Sequence, residues 1–254
     1  MLKPVDYDER QHVGYAAGRD HGPASARFWA EVLAAQAPAR RPLVALDLGS
    51  GTGRFTTALA EAFGGPVYGV EPSARMRAVA VARTTDPRVS FLAGRAEAIP
   101  LPDAACDLVL MFLSFHHVAD RAAAAHEIAR VLRPGGRVLV RSQFADRFPD
   151  IRWHAYFPRA RSIELQMFPT LADTEAAFAP AGLRRMALVS VDETFAASLA
   201  EHADRLRHRA VSTFEHMTEA EMAEGFARLD AAAAQETTAQ PIVARSDVLV
   251  LAAE

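Results

Sequence analysis

The chain alternates between short apolar runs and longer stretches in which apolar residues recur every three or four positions. The apolar runs predict strands over 43–48, 66–71, 88–92, 106–113, 136–143, 184–192 and 247–252. The amphipathic stretches predict helices over 24–36, 53–63, 73–83, 120–132 and 171–180. Strands that alternate with helices form parallel sheets. The pattern therefore predicts an α/β fold, with a doubly wound, mostly parallel seven-stranded sheet and helices on both faces.

Three segments fall outside this alternation, namely 1–40, 144–170 and 194–241. The third carries apolar residues at helical spacing and stands immediately before the last predicted strand. We expect it to form a helical lid. Loops and lids over a rigid sheet usually carry ligand specificity, so we expect these three segments to do so here.

The turn after the first predicted strand is rich in glycine. From Asp47 to Gly53 the sequence reads DLGSGTG, and a helical pattern follows. A glycine turn lets a ligand approach bare backbone, and the start of the helix favours an anionic group. The dinucleotide fingerprint G-x-G-x-x-G would need a small residue at position 54, where this chain has Arg54. A bound pyrophosphate is therefore disfavoured at this turn.

Three more motifs follow in order. The second predicted strand ends at Glu71, about 20 residues after the glycine turn, where a nucleoside site needs an acid for the ribose diol. Residues 92–103 read LAGRAEAIPLPD, and they stand between the third and fourth predicted strands. Residues 132–136 read LRPGG, which ends a helix and turns the chain into the fifth predicted strand.

From residue 43 to about residue 143, these motifs resemble those of the class I S-adenosylmethionine-dependent methyltransferases. The branch that they most resemble is the ubiquinone/menaquinone-biosynthesis-like group, which mostly methylates small molecules. The resemblance implies a final strand inserted antiparallel, S-adenosylmethionine as cofactor, and in-line transfer of its methyl group to an oxygen, nitrogen or carbon nucleophile. It implies one domain over 1–254, with a helical arm over 1–40, a cofactor-binding half over 41–143, and cap segments over 144–170 and 194–241.

The same resemblance implies a set of cofactor-binding residues. They are Tyr15, Arg19, Asp47, Gly49, Ser50, Gly51, Gly53, Glu71, Pro72, Met76, Ala96, Glu97 and Phe112. Asp47 receives the ammonium group of the cofactor, bonds the glycine turn itself, or does both, and Met76 lies either against adenine or in the helix core. Arg95 stands where the family has an acid for the adenine amino group, so Glu97 or a backbone carbonyl would replace that acceptor.

Candidate catalytic residues are histidines, because a hydroxyl acceptor benefits from a general base near neutral pH. His116 and His117 follow the fourth predicted strand, where they either contact the acceptor or cap the next helix. His154 lies in the segment 144–170. Aromatic residues and methionine around it suit an apolar acceptor pocket: Trp153, Tyr156, Phe157, Met167 and Phe168. Arginines that suit a carboxylate or phosphate on the acceptor are Arg141, Arg147, Arg159 and Arg161.

Composition narrows the class of partner. The formal net charge of −3 disfavours a nucleic-acid partner, and no stretch has the roughly 18 apolar residues that a membrane helix needs. One cysteine in 254 residues suits a reducing compartment, and together with an N-terminus that has no apolar signal region it predicts a cytoplasmic protein, monomeric or homodimeric. The sequence places no cluster of carboxylates near the strand ends, so we expect no metal site. Two alternatives stay open: a methyltransferase-like binding protein without acceptor chemistry, and a nicotinamide-dependent oxidoreductase.

Overall fold

The computed structural model describes Gly18 and residues 22–253. Its helices are α1 Gly22–Gln36, α2 Thr56–Phe63, α3 Ala74–Arg83, α4 Arg121–Val131, α5 Ala160–Met167, α6 Leu171–Phe178, α7 Leu199–Arg207 and α8 Glu219–Ala234. Its strands are β1 Leu43–Leu48, β2 Gly64–Glu71, β3 Val89–Ala93, β4 Cys106–Phe112, β5 Leu132–Ser142, β6 Leu183–Ala196 and β7 Ile242–Ala253. Short 3-10 turns connect several of them. The predicted arm residues Tyr15 and Arg19 lie outside the described residues.

The strands form one seven-stranded sheet in the order β3-β2-β1-β4-β5-β7-β6. The pairs β1–β2, β1–β4, β2–β3 and β4–β5 are parallel, and β7 runs antiparallel to β5. The sheet reverses its order beside β1, where β2 and β4 lie on either side. In open α/β sheets such a switch point opens a crevice at the carboxyl ends of the strands, and that crevice binds ligands. The predicted α/β sheet is confirmed.

Several element boundaries differ from the prediction. The glycine turn continues through Gly53, which has a positive φ of 68°, so α2 begins at Thr56 and not at residue 53. Strand β5 begins at Leu132, the first residue of LRPGG, because Cys106 of β4 pairs with Leu132 across a register shift. Strand β7 starts at Ile242, five residues early, and β6 extends to Ala196. Strands β6 and β7 are hydrogen-bonded neighbours in the sheet, and apolar periodicity does not register backbone pairing.

The described residues group into two compact units. We call residues 22–142, 171–189 and 247–253 the sheet unit, and residues 143–170 and 190–246, with Gly18, the helical unit. The segments that we expected to form cap and lid, 144–170 and 194–241, fall within the helical unit and carry α5, α7 and α8. None of the helices in the described part of the chain is long and apolar enough to cross a membrane.

The sheet unit has a buried carboxylate at the amino end of β4. Asp107 accepts hydrogen bonds from the Val44 amide at 2.8 Å and from the Arg133 guanidinium at 3.0 and 3.1 Å, and it pairs with Arg40. Burial raises the pKa of Asp107, but these donors together hold it below its usual range. Asp107 thus ties β1 to the start of β5. Among the described residues, no group of three histidine, cysteine or carboxylate side chains could hold a metal ion.

The helical unit packs around four aromatic rings. Trp153 and Phe157 lie 5.4 Å apart between ring centroids, and Phe214 and Phe226 each lie within 6 Å of Phe157. Helix α8 approaches them at Gly225, where a Cβ would lie 2.3 Å from the Phe157 ring. The predicted wall of an apolar pocket is therefore, for Trp153 and Phe157, a tightly packed core.

Candidate functional site

The glycine turn at the carboxyl end of β1 forms the floor of the candidate site. Gly49, Gly51 and Gly53 have positive φ values of 80°, 56° and 68°, a backbone conformation that glycine adopts without strain. The Gly49 and Ser50 amides donate to the Val70 carbonyl at 2.8 and 3.2 Å. These bonds hold the turn against the end of β2 and leave its concave side lined by backbone.

Neighbouring side chains lie so close to this turn that a Cβ on two of its glycines would clash with them. A Cβ on Gly49 would lie 2.6 Å from the Ser114 Cβ, and a Cβ on Gly53 would lie 2.7 Å from the Phe91 ring. Ser114 is itself fixed, because its hydroxyl donates to the Leu48 carbonyl at 2.7 Å. The carboxyl ends of β1 and β4 are therefore locked together at the turn.

This packing predicts an effect of substitution at Gly49. Gly49→Ala and Gly182→Ala introduce the same strain, since both glycines have a φ close to 80°, but the space around Gly182 is open. Overpacking typically costs about 1–3 kcal/mol, so we expect Gly49→Ala to lower the free energy of unfolding by roughly 1–2 kcal/mol more than Gly182→Ala. Urea denaturation of the two variants measures the difference, and equal losses would contradict the packing described here.

Glu71 is the acid at the end of β2, and it is buried beside the turn. One carboxylate oxygen, Oε2, accepts a hydrogen bond from the Gly51 amide at 2.9 Å, and the other, Oε1, accepts one from the Ser73 amide at 2.9 Å. The two amides do not fill the roughly four lone-pair sites of a carboxylate. Glu71 thus shapes the glycine turn and can also accept the two hydroxyls of a ribose.

Asp47 is buried inside β1, two residues before the turn. Burial, followed by the negative charge of Glu71, raises the pKa of Asp47 to about 7, while the nearby Arg54 lowers it. None of the described residues donates a hydrogen bond to this carboxylate, and the Gly51 amide donates to Glu71 instead. Of the two readings of Asp47, the structure gives no support to bonding of the glycine turn.

Ser50 supplies a second polar group that lacks a partner within the described chain. Its hydroxyl is buried, and no described residue bonds it. Gly69 of β2 leaves the space beside it, since a Cβ there would lie 2.9 Å from this hydroxyl and 2.5 Å from the Phe91 ring. The glycine turn, its two acids and this hydroxyl together form a polar cradle, and Phe91 and the buried Met76 lie nearby. A ligand with several polar groups on an apolar body fits such a cradle.

The remaining predicted cofactor residues take less direct positions. Met76 is buried in α3, where its amide donates to the N-cap Ser73 side chain at 3.1 Å. Pro72 is exposed and Ala96 is buried. Glu97 accepts from the Ala119 and Asp120 amides at 3.2 and 3.3 Å, ahead of α4. These two hydrogen bonds give Glu97 a structural role. The sequence had indicated only a role as acceptor for the adenine amino group.

The carboxyl ends of β4 and β5 carry a buried stack that sequence reasoning found only in part. The Arg141 guanidinium carbon lies 4.0 Å from the ring centroid of Trp29 and 4.4 Å from that of Phe112. Phe112 in turn lies 4.1 Å from Phe55, which directly follows the glycine turn and Arg54. Arg141 is 4% exposed, which distinguishes it from Arg159, an arginine paired with Glu221 on the surface. Leu113, next to Phe112, has a φ of 56°, a strained conformation for a branched residue.

The three predicted catalytic histidines occupy two different environments. His116 and His117 lie in the 3-10 turn Phe115–His117 after β4, with ring centroids 3.9 Å apart; His116 is half-buried and His117 is exposed. His154 lies in the helical unit, where it is buried and bonded to Glu164. Glu164 was missed by sequence reasoning, because nothing in its helix α5 marks it as other than a surface residue.

Comparisons with known proteins agree on the fold and on the cofactor-binding segment. Residues 46–140 match the model of a family described as methyltransferase domain. An uncharacterised methyltransferase of Mycobacterium tuberculosis is 44% identical over 124 residues, which cover 49% of this chain and 46% of that protein. A ubiquinone/menaquinone biosynthesis C-methyltransferase of a Caulobacter species is 31% identical over 123 residues, which cover 44% of this chain and 49% of that protein. The chain spans about half the length of these relatives.

Among solved structures, the chain resembles a putative methyltransferase from an antibiotic biosynthesis pathway of Anabaena variabilis. The TM-score is 0.70, the identity is 21%, and the match covers 89% of this chain and 96% of that one. A likeness at this identity reflects the fold. It extends over more of the chain than the segment 46–140 that the family model matches.

Proposed function

We propose that residues 46–140, which match the model of a methyltransferase domain, act as a class I S-adenosylmethionine-dependent methyltransferase and that the chain methylates a small molecule. The observation that carries the proposal is the joint placement of Glu71 and the glycine turn, with the Gly51 amide bonded to the Glu71 carboxylate at 2.9 Å. The residue at position 54 also supports the proposal, since Arg54 stands where a dinucleotide-binding glycine motif needs a small residue. This disfavours the nicotinamide alternative.

The groups of the cofactor match those of the cradle. Glu71 accepts the ribose hydroxyls, the amides at the start of α2 favour the methionine carboxylate, and Asp47 accepts the ammonium group. The Ser50 hydroxyl, which no described residue bonds, takes a further polar atom of the ligand. When bound, S-adenosylmethionine supplies an electrophilic methyl group. The protein then contributes mainly by holding cofactor and acceptor in line for displacement.

The net charge of the chain and the names of its relatives both favour a small-molecule acceptor. The formal net charge of −3 disfavours a nucleic-acid partner. The Caulobacter relative is named for a step of ubiquinone and menaquinone biosynthesis, which concerns small molecules. We propose the same class of acceptor for this chain, in the cytoplasm. Of the three histidines, His116 and His117 stand at the carboxyl end of β4, and they are our candidates for a base in the sheet unit.

The proposal is tested by transfer of a labelled methyl group from S-adenosylmethionine. A cell extract is separated into small metabolites, protein and nucleic acid, and each fraction is incubated with the chain and the labelled cofactor. We expect label in the small-metabolite fraction only. Label in the protein or nucleic-acid fraction would contradict the proposal of a small-molecule acceptor. Binding of S-adenosylmethionine without label in any fraction would favour the alternative, a cofactor-binding protein that lacks acceptor chemistry.

The raised pKa of Asp47 predicts that cofactor affinity depends on pH. Asp47 is protonated below about pH 7 and ionised above it, and only the ionised form attracts an ammonium group. The ionised fraction changes nearly tenfold per pH unit below the pKa, so we expect affinity for S-adenosylmethionine to be roughly tenfold higher at pH 8 than at pH 6. Calorimetric titration at both pH values measures this change.

Asp47→Asn is the control for that titration, because asparagine keeps the shape and removes the ionisation. We expect this variant to bind more weakly at pH 8 and to show a flatter pH dependence than the wild type. If Asp47→Asn kept the wild-type slope, the titrating group would lie elsewhere, and Asp47 would not be the ligand of the ammonium group.

A further inference from the structure

The helical unit contains a buried chain of three hydrogen-bonded side chains. His154 Nε2 lies 2.9 Å from Glu164 Oε2, and the Thr213 hydroxyl donates to Glu164 Oε1 at 2.7 Å. All three residues are buried, at 8%, 5% and 1% exposure. They come from a 3-10 turn, from α5 and from a second 3-10 turn that is 49 residues further along the chain. The carboxylate thus has a partner on each oxygen.

This arrangement fixes the orientation and the tautomer of the histidine ring. Glu164 accepts on both oxygens, so Nε2 carries the proton of the bond to Oε2. In the neutral imidazole, Nδ1 then holds a lone pair. Nδ1 is also buried, and no described residue bonds it. A buried polar group without a partner costs about 1–3 kcal/mol, so a rigidly held Nδ1 of this kind indicates a hydrogen-bond donor that comes from a ligand.

The surroundings of the ring are apolar and aromatic. Phe148 stacks with His154 at 6.0 Å between centroids and 20° between planes, and Trp153 lies 4.9 Å away. Phe168 continues this surface, 5.7 Å from Phe148. A buried water needs two to four polar partners, and the phenyl rings of Phe148 and Phe168 offer none. A ligand that carries a hydrogen-bond donor on an apolar group suits this surface better than a water molecule does, because the apolar group can pack against the rings.

We propose that His154 is a ligand-binding residue of the helical unit, and that its Nδ1 accepts a hydrogen bond from a hydroxyl group on an aromatic or otherwise apolar small molecule. The carboxylate behind the ring makes Nδ1 a stronger acceptor, as outer carboxylates do for other histidines, and this favours an acidic donor such as a phenol over a neutral amine. Glu164 and Thr213 are positioning residues.

The test compares two probes that differ only in the donor. 2-Naphthol carries a hydroxyl, and 2-methoxynaphthalene has the same ring system with that hydrogen replaced by a methyl group. We expect 2-naphthol to bind the full chain roughly tenfold more tightly in calorimetry, since one hydrogen bond to an otherwise unsatisfied buried group is gained. We also expect the Nδ1 resonance of His154 to move upfield in long-range ¹H–¹⁵N spectra with 2-naphthol and to stay in place with 2-methoxynaphthalene.

His154→Phe removes the acceptor and keeps a ring in the aromatic surface, and we expect it to bind both probes equally. The ¹⁵N measurement on the wild type keeps the test valid if this variant fails to fold. Equal binding of both probes by the wild type, or an Nδ1 resonance that 2-naphthol leaves unchanged, would overturn the inference. S-adenosylmethionine affinity is measured on the same sample, so failure of the proposed function would appear separately, as a chain that selects 2-naphthol and does not bind the cofactor.

Discussion

Replacing Glu71 with alanine is expected to reduce the affinity for S-adenosylmethionine by roughly 100-fold or more, since hydrogen bonds to a charged group contribute about 1.5–3 kcal/mol each. The substitution removes the acceptor for the ribose hydroxyls. It also releases the Gly51 and Ser73 amides, which the carboxylate bonds at 2.9 Å each. The glycine turn thereby loses the contact that holds it in shape. Calorimetric titration with the cofactor measures the loss.

Two further variants separate recognition from shape. Glu61→Ala makes the same change at an exposed position of α2, and we expect wild-type affinity from it. Glu71→Gln keeps a carbonyl oxygen for one amide and loses the charge, so its affinity should lie between that of the wild type and that of Glu71→Ala. Retained affinity in a folded Glu71→Ala variant would show that the ribose is held by other groups.

Acidification is expected to destabilise the helical unit through His202. This side chain is 4% exposed in α7 beside Phe195, and no described residue bonds either ring nitrogen. Burial, then the positive charges of Arg205 and Arg152, lowers the pKa of His202 from 6.5 to about 4, while Glu201 acts in the opposite direction. The unfolded chain therefore takes up a proton below pH 6.5 that the folded chain refuses until about pH 4.

The sign and size of the effect follow from this difference. Stability is intact above pH 6.5 and falls as the pH decreases towards 4, by roughly 3 kcal/mol at about 1.36 kcal/mol per pKa unit. We expect His202→Leu to lose much of this acid sensitivity, whereas His208→Leu, at an exposed position one residue after α7, should retain it. Urea denaturation between pH 7 and pH 4 distinguishes the two, and equal acid sensitivity of His202→Leu and wild type would contradict the assignment.

The sheet unit could be predicted from the sequence because its information is local. A buried parallel strand appears in the sequence as an apolar run. The motif DLGSGTG indicates the turn that follows it, and this does not depend on distant residues. Glu71 follows at the spacing that one βαβ unit imposes. The start of α2 could not be placed, because the positive φ of Gly53 extends the turn into a segment whose apolar pattern is already helical.

The buried polar groups were harder to predict because their partners are distant in sequence. The stack of Arg141 on Trp29 joins positions more than 100 residues apart, and Arg141 looked equivalent to three other arginines until its burial was known. His154 was named as a candidate, but Glu164 and Thr213 were not, since a threonine 49 residues away from its carboxylate leaves no local pattern. The packing of Trp153 and Phe157 in a core was not predicted for a related reason, because aromatic clustering alone does not separate a pocket from a core.

The most direct test of the account uses S-adenosylmethionine that carries a deuterated methyl group, incubated with the purified chain and the small-metabolite fraction. We predict a product that gains one deuterated methyl group, formed in step with S-adenosylhomocysteine, by the wild type and by Glu61→Ala but not by Glu71→Ala. Absence of cofactor binding by the wild type, or a labelled product that Glu71→Ala forms equally well, would contradict the central claim that this chain binds S-adenosylmethionine through Glu71 and transfers its methyl group.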